Sequence, residues 1–494
     1  MPETSLADRL KLTHPTYAKF ESDWEFYADS YEGGSAFAGK EDYLFRHPRE
    51  TDDDYTERLR RATYLNLVKK QVDIYAAFIF KDEIARISKD PEFLDFEKNA
   101  DRKGTPLSQV MSDQVGKFGM VMGHTVSIVD LPRQSTNSKT RRDDKELGIR
   151  PYVCVYTPLE VKDWAIDGDG NYRWLRVEED APDESTWDGE RKEASSIYRT
   201  WTRDEWYVHD AEGRELDAGK HDLKEVPAVF TPIQEHLRHM DVGQAVISDT
   251  APLAQAIYNY HSVLDEALYR QGFNILAIPV GEKSGVPGKP DSATRVATTL
   301  GTSKGIRYPA GTNPPSYITP PSDPAEVLMK RIEDAKREFI ELAKLQDRKQ
   351  NSGEASGVAR AYEFHESNST FAKIAKNLED GEKKIIRLFY KWQGKSDEDL
   401  PVTVSYPTDF NVATLADMLD EAMALLQVNV SPTANRLVKK RVVEEAFPKL
   451  DDATKNTIEE EIDAAPSEDA LAMEVEKRLA EEQAGVAANA DATP

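Results

Sequence analysis

The order of parts in the second half of the chain restricts its fold more than any other feature. A helical pattern over about Val242–Arg270 runs into a Gly/Pro/Thr-rich, strand-like insert. A second helix is predicted at Pro324–Gln346, then a polar loop with glycines, then one helix from about Gly357 to Trp392. Asp323-Pro-Ala-Glu326 supplies a cap, a proline at the first helical position and an acid in the first turn, which together fix the start of the second helix. Beyond it Leu328, Ile332, Ala335, Phe339 and Leu342 alternate steps of four and three, a narrow seam for packing in a bundle or ring. Phe364, Phe371, Leu378, Ile385 and Trp392 recur every seven residues along the last helix, which at about 36 residues spans roughly 54 Å. Two helices around a β-rich excursion, with a loop and a long return helix, predict a channel-lining architecture rather than a catalytic pocket.

The first half reads as helices followed by strands, so the fold class is α+β and mainly helical. A helix over about Asp53–Phe80 has Leu65, Val68, Val72, Tyr75 and Ile79 on one apolar face, and its acidic start suits the positive end of the helix dipole. A second helix over about Pro106–Met122 stops at Gly123, before a strand at Thr125–Val129. From Pro151 to Phe230 short runs rich in Val, Ile, Tyr and Trp predict an antiparallel meander: Tyr152–Tyr156, Val161–Ile166, Tyr172–Glu178, Ser196–Thr202, Glu205–His209 and Ala228–Phe230. Without alternating helices, a doubly wound nucleotide-binding sheet is not expected. After Gly394, a strand at Val402–Tyr406 and amphipathic helices at about Leu415–Gln427 and Pro432–Ala446 follow, then an acidic tail.

Charge limits the partners. The formal net charge is −25, whereas tight DNA binding comes largely from neutralising phosphates with Lys and Arg. An acidic wall lets DNA slide past, and it also serves solubility. The single cysteine, Cys154, excludes a disulfide within the chain and reads as a small hydrophobe in a strand. No secretory leader or membrane-length apolar run stands out, so folding in a reducing, aqueous compartment and no membrane partner are expected.

Candidate motifs fail on context. Gly301-Thr-Ser-Lys-Gly305 has the spacing of a nucleophile elbow around Ser303, but the proline-rich run after it forms no helix, so a serine hydrolase is the lesser alternative. Gly285–Lys289 lacks the spacing of a phosphate loop. Asp167, Asp169, Asn171 and Glu178 fit calcium-loop positions, yet Tyr172 stands where the turn glycine belongs, which leaves a hairpin. His236 and His239 lack a third metal ligand and read as a surface pair. No catalytic residue, cofactor or metal is expected. The loop is the best candidate site: Lys344, Arg348 and Lys349 lead into Gln350 and Asn351 and on to Gly357. Repeated around an axis, it would make a positive belt that touches phosphates without reading sequence.

Taken in order, several stretches resemble the portal proteins of tailed bacteriophages over most of residues 40–465. They are YTERLRRATYLN at 55–66, GHTVSIVDLP at 123–132, the Trp164/Trp174 hairpin, Glu225-Val-Pro227, and SGVARA at 356–361. The resemblance implies a portal fold with wing, stem, clip and crown regions. Residues 1–240 would form most of the wing, 241–270 and 323–346 the stem helices, and 271–322 the clip. Residues 347–357 would be the tunnel loop, 358–407 the long wing helix and a strand, 408–465 a helical crown, and 466–494 an acidic tail. It also implies a homo-oligomeric ring, usually a dodecamer, at one vertex of the virion, assembled in the bacterial cytoplasm. Its partners would be the large terminase subunit, a head–tail adaptor, the major capsid and scaffolding proteins, and double-stranded DNA passing through without sequence specificity. Another ring-forming virion component is the remaining alternative.

Overall fold

The structure is a computed structural model that describes residues 5–132, 149–181, 195–272, 275–277, 316–318, 323–345, 357–395, 400–408, 410, 422–424, 426–427, 431–447 and 452–464. The chain divides into two compact units, Met1–Phe410 and Asn411–Pro494.

A three-stranded antiparallel sheet organises the first unit. Here β1 is Ala85–Ser88, β2 is His124–Asp130, β3 is Tyr152–Tyr156 and β9 is Ala228–Pro232, with β2 central in the order β3-β2-β9. Strand alternation sends successive side chains to opposite faces. Val126 and Ile128 join a core with Tyr17, Trp24 and Trp164, while Val129 joins the larger core with the long helix. That helix, Gly357–Trp392, has the bounds expected from its sequence. Phe371, Leu378 and Ile385 of its seven-residue stripe are buried, and the side chain of Phe364 lies outside the described residues. The helix lies close on the sheet: a Cβ at Gly381 would sit 2.6 Å from Thr231 Oγ1. Trp392 Nε1 donates to the Val129 carbonyl at 2.7 Å.

The expected meander resolves into two sheets. β4 (Val161–Ile166), β5 (Tyr172–Asp180), β6 (Ser196–Thr202), β7 (Glu205–Asp210) and β8 (Glu215–Lys220) pair antiparallel in chain order, whereas β3 belongs with β2 and β9. The Asp167–Asn171 turn is a hairpin, with Asp167 Oδ1 accepting from the backbone N–H of Asp169 and Asn171.

Several helical expectations change. The run Asp53–Phe80 is two helices, Asp52–Arg61 and Leu67–Ile79. Ala62 is extended at ψ 131, and Asn66 caps the second helix by accepting from the Lys69 N–H at 2.8 Å. Leu65 therefore lies in the break and is exposed, while Val68, Val72, Tyr75 and Ile79 are buried. The helix expected from Val242 begins at Thr250. Residues before it spend their N–H groups elsewhere: Gly243 on His124 Nδ1, Gln244 on the Gln234 carbonyl and Val246 on the Met120 carbonyl. Gly243 also meets Gly123 backbone to backbone, where a side chain at either position would collide. One helix is an addition: Pro15–Glu32 is helical and buries Tyr17 and Trp24.

β1 pairs with β12 (Val402–Ser405) as an antiparallel ribbon. Beneath it lies a closed ionic network. Arg86 and Glu382 side chains are 2% and 0% exposed and meet through two hydrogen bonds, of 2.5 and 3.1 Å. Tyr406 OH donates to Glu382 Oε2 at 2.6 Å and Arg86 Nη1 to Ser108 Oγ at 2.6 Å.

In the second unit, Ser431 caps the helix Pro432–Ala446 by accepting from the Ala434 N–H. This helix packs on Asp452–Ala464, and Lys440 reaches Asp463 at 2.8 Å and Glu459 at 3.8 Å. The helix predicted at Leu415–Gln427 lies largely outside the described residues.

Candidate functional site

The two bracketing helices, Thr250–Gly272 and Asp323–Leu342, pack against each other and are joined through β10 (Ile275–Ala277) and β11 (Ser316–Ile318). These strands pair antiparallel, so the insert begins and ends on one ribbon. Leu264, Ala325 and Ile332 form a small separate cluster between the helices, with Tyr260 and Leu328 against it. Arg331 lies 5.6 Å from the centre of the Tyr260 ring and pairs with Glu338. The result is a two-helix stalk with a minor core of its own.

The body roots the stalk through polar contacts as well as packing. Thr250 Oγ1 donates to Gln71 Oε1 at 2.7 Å, and Tyr258 OH to the Ala38 carbonyl at 3.2 Å. Asn259 Nδ2 donates to the Tyr43 carbonyl at 3.0 Å. Arg61 pairs with Glu266, and its guanidinium lies 4.1 Å from the Tyr269 ring centre. At the return end, Tyr75 OH donates to the Ala343 carbonyl at 2.8 Å.

The seam residues divide by position. Ile332 belongs to the stalk cluster, Ala335 and Phe339 are buried in the main core, and Leu328 is half-buried. Leu342 is 54% exposed, and buried Ala343 takes the place expected of it. The reason is local: the helix stops at Leu342, not Gln346. Lys344 adopts φ 49, its N–H donates to the Glu341 carbonyl, and the Leu345 N–H reaches back to the Ile340 carbonyl, both at 3.0 Å. This is the paired bonding of a Schellman end, and a lysine occupies the left-handed position that glycine usually fills. Lys344 Nζ donates to Thr370 Oγ1 on the long helix at 3.2 Å. Arg348, Lys349, Gln350 and Asn351 lie outside the described residues, as does Ser303 with its flanking glycines.

Other candidates acquire structural roles. His236 Nδ1 accepts from the N–H of Arg238 and His239, and His239 Nε2 lies 3.0 Å from Lys19 Nζ, a poor setting for a cation. Among the described residues no group of three or more His, Cys, Asp or Glu side chains is placed to hold a metal. No helix among them is long and apolar enough to cross a membrane. Cys154 lines a cavity of about 490 Å³ with Asp130, Tyr152, Tyr156, Glu179, Arg199 and Trp201. Burial pushes its thiol up to about 11, aided by the charges of Asp130 and Glu179, so it is a poor nucleophile.

Sequence reasoning missed the strongest polar construction near the stalk. Arg58 is buried, binds Glu50 in bidentate fashion at 2.7 and 2.8 Å, and donates to Ser262 Oγ at 3.1 Å and to the Phe45 carbonyl at 2.9 Å. Its hydrogen bonds with Glu50 hold that carboxyl below the usual range. In a run of charged residues this arginine reads as a solvated face; the turn at His47-Pro48 was the available signal.

No protein-family model matches the chain, and no curated protein does. Among solved structures, it is similar to a chain in the virion of the native gene transfer agent (GTA) particle, at 12% identity and a TM-score of 0.41, covering 75% of this chain and 88% of that one. A chain in the neck of the empty GTA particle computed with C6 symmetry gives 11% and 0.40, with coverage of 75% and 89%. A chain in the neck of the native GTA particle computed with C12 symmetry gives 12% and 0.36, with coverage of 81% and 89%.

Proposed function

We propose that the chain is a portal subunit, one copy of a dodecameric ring at a single capsid vertex. A terminase motor drives double-stranded DNA through the ring, and the DNA later leaves by the same route. The observation that carries this reading is the stalk. Its helices meet through a small cluster, yet Val263, Leu268, Tyr269, Val327 and Met329 are each 46% or more exposed on them. Apolar side chains on the outside of a helix pair call for cover, and neighbouring stalks in a ring provide it. Order supports the same reading: helix, ribbon, helix, loop and 36-residue helix follow one another as a portal's stem, clip, stem, tunnel loop and wing helix do.

In this assignment the insert between the stalk helices is the clip, which faces terminase during packaging and the head–tail adaptor afterwards. Residues 408–465 form the crown, and the capsid and scaffolding proteins surround the ring. Lys344, Arg348, Lys349, Gln350 and Asn351 steer the duplex through phosphate contacts that read no sequence. The net charge of −25 keeps that grip weak. The chain acts by positioning other proteins, without chemistry of its own.

Class-averaged electron micrographs of the purified protein, with its mass measured in solution, test the reading. Rings with a central hole that admits duplex DNA are expected. A chain that remains monomeric even beside its capsid and scaffolding proteins would refute it. Deletion of Gln350–Ser356 should leave rings intact and reduce the DNA packaged or retained; particles that fill to the normal level would remove the loop from the mechanism.

A further inference from the structure

We propose that Phe45 is the anchor by which one copy of this chain docks on the outer face of the next copy's second bracketing helix. The inference rests on the ring reading above and adds to it a named contact. Phe45 is 63% exposed, yet its backbone is fixed on both sides. Its N–H donates to Asn259 Oδ1 at 2.7 Å, and its carbonyl accepts from Arg58 Nη2 at 2.9 Å. The turn beyond it is closed by the Glu50 N–H on the His47 carbonyl at 2.9 Å and the His47 N–H on Glu50 Oε2 at 3.3 Å. A buried arginine–carboxylate pair is costly to build; this one ties the turn to Ser262 of the first bracketing helix and holds an aromatic ring in water. An aromatic side chain on a rigid backbone loses little freedom when it enters a pocket, which is what an interface anchor requires.

Charge and continuity select the occupant. Phe45, Arg46, His47, Pro48 and Arg49 are all exposed and include no acid; Arg46 pairs with Asp52 of its own copy, and Arg49 is the remaining positive charge of the segment on a chain of net charge −25. Asn259 and Val263 are one helical turn apart, so the exposed Val263 continues the Phe45 patch up the first bracketing helix. The matching surface is on the second bracketing helix. Residues 323–342 carry six acids against four bases, and Glu326, Met329 and Glu333 share an exposed face with Lys330 between the two acids. Phe45 then packs on Met329 while Arg49 meets Glu326 or Glu333. Each copy uses one stalk helix toward one neighbour and the other helix toward the next, a head-to-tail contact of the kind that closes a ring.

Phe45→Ser tests this without disturbing the fold, because the ring is outside the core. The concentration at which half the chains are assembled, measured by mass photometry, should rise at least tenfold with the thermal midpoint unchanged. Leu216→Ser, at a site 56% exposed on β8, serves as a control and should assemble normally. Photo-crosslinking from p-benzoylphenylalanine at position 45, in rings mixed from isotopically light and heavy copies, should join the label to residues 324–342 of a different copy. Rings that assemble at the wild-type concentration, or crosslinks confined to the same copy, overturn the anchor and leave the ring reading standing. A wild-type chain that never assembles overturns both.

Discussion

Replacing Glu382 with alanine should cost the first unit about 3–5 kcal/mol, the usual penalty for stranding a buried charge. The Arg86 side chain is 2% exposed, and without Glu382 its guanidinium keeps Ser108 and a longer contact to Glu97 at 3.5 Å. Tyr406 OH would lose its acceptor in the same step. The urea midpoint followed by tryptophan fluorescence should fall well below that of the wild-type chain. The double change Arg86→Met with Glu382→Leu should recover most of the loss, since a matched apolar pair leaves no charge to desolvate. A midpoint unchanged in Glu382→Ala would mean that the network does not hold the β1–β12 ribbon to the long helix.

Acid should unfold the same unit through His124. Burial holds this imidazole neutral and depresses its pKa to about 3, against an ordinary value of 6.5, while the charge of Asp241 pulls weakly the other way. The unfolded chain takes up a proton below 6.5 and the folded chain does not. Stability from this group is therefore complete above about pH 6.5 and declines as the pH falls toward 3, by roughly 1.4 kcal/mol per pH unit. His221, His236 and His261 are also depressed by burial and act in the same direction. His124→Gln, which retains an acceptor for the Gly243 N–H, should flatten the dependence of the unfolding midpoint between pH 6 and 4. Parallel slopes in the two proteins would assign acid sensitivity to other groups.

The elements readable from sequence are those with local signals. The long helix has its expected bounds because no proline interrupts an apolar stripe that recurs every seven residues. Pro432–Ala446 is equally clear, with a serine cap and a proline at the first position. Failures follow from long-range pairing. β1 was not expected: it is short and is stabilised by the expected strand β12, more than 300 residues away. β8, with the sequence ELDAGK, has no β-branched residue and is a strand because β7 templates it. The break at 62–66 was hidden because Leu65 fits the helical stripe by spacing alone, whereas the decisive residue is the cap, Asn66. At the candidate site, the apolar stripe of the second bracketing helix was legible as far as Phe339. Its last member was not, because a Schellman turn at Lys344 depends on backbone geometry that side-chain periodicity does not encode.

The ribbon at the tip of the stalk has an evolutionary consequence. Pairing of Ala277 with Ser316 brings the two ends of the intervening chain side by side, within about 5.5 Å in an antiparallel pair. Closure entropy grows only slowly with length, by about 0.6 kcal/mol for each doubling. Lineages could therefore lengthen, shorten or exchange the segment between those ends at little thermodynamic penalty while the rest of the chain stays as it is. For the experimenter the same junction is a ready-made graft point, where an affinity tag or a small folded domain can be inserted without retuning the helices beneath it.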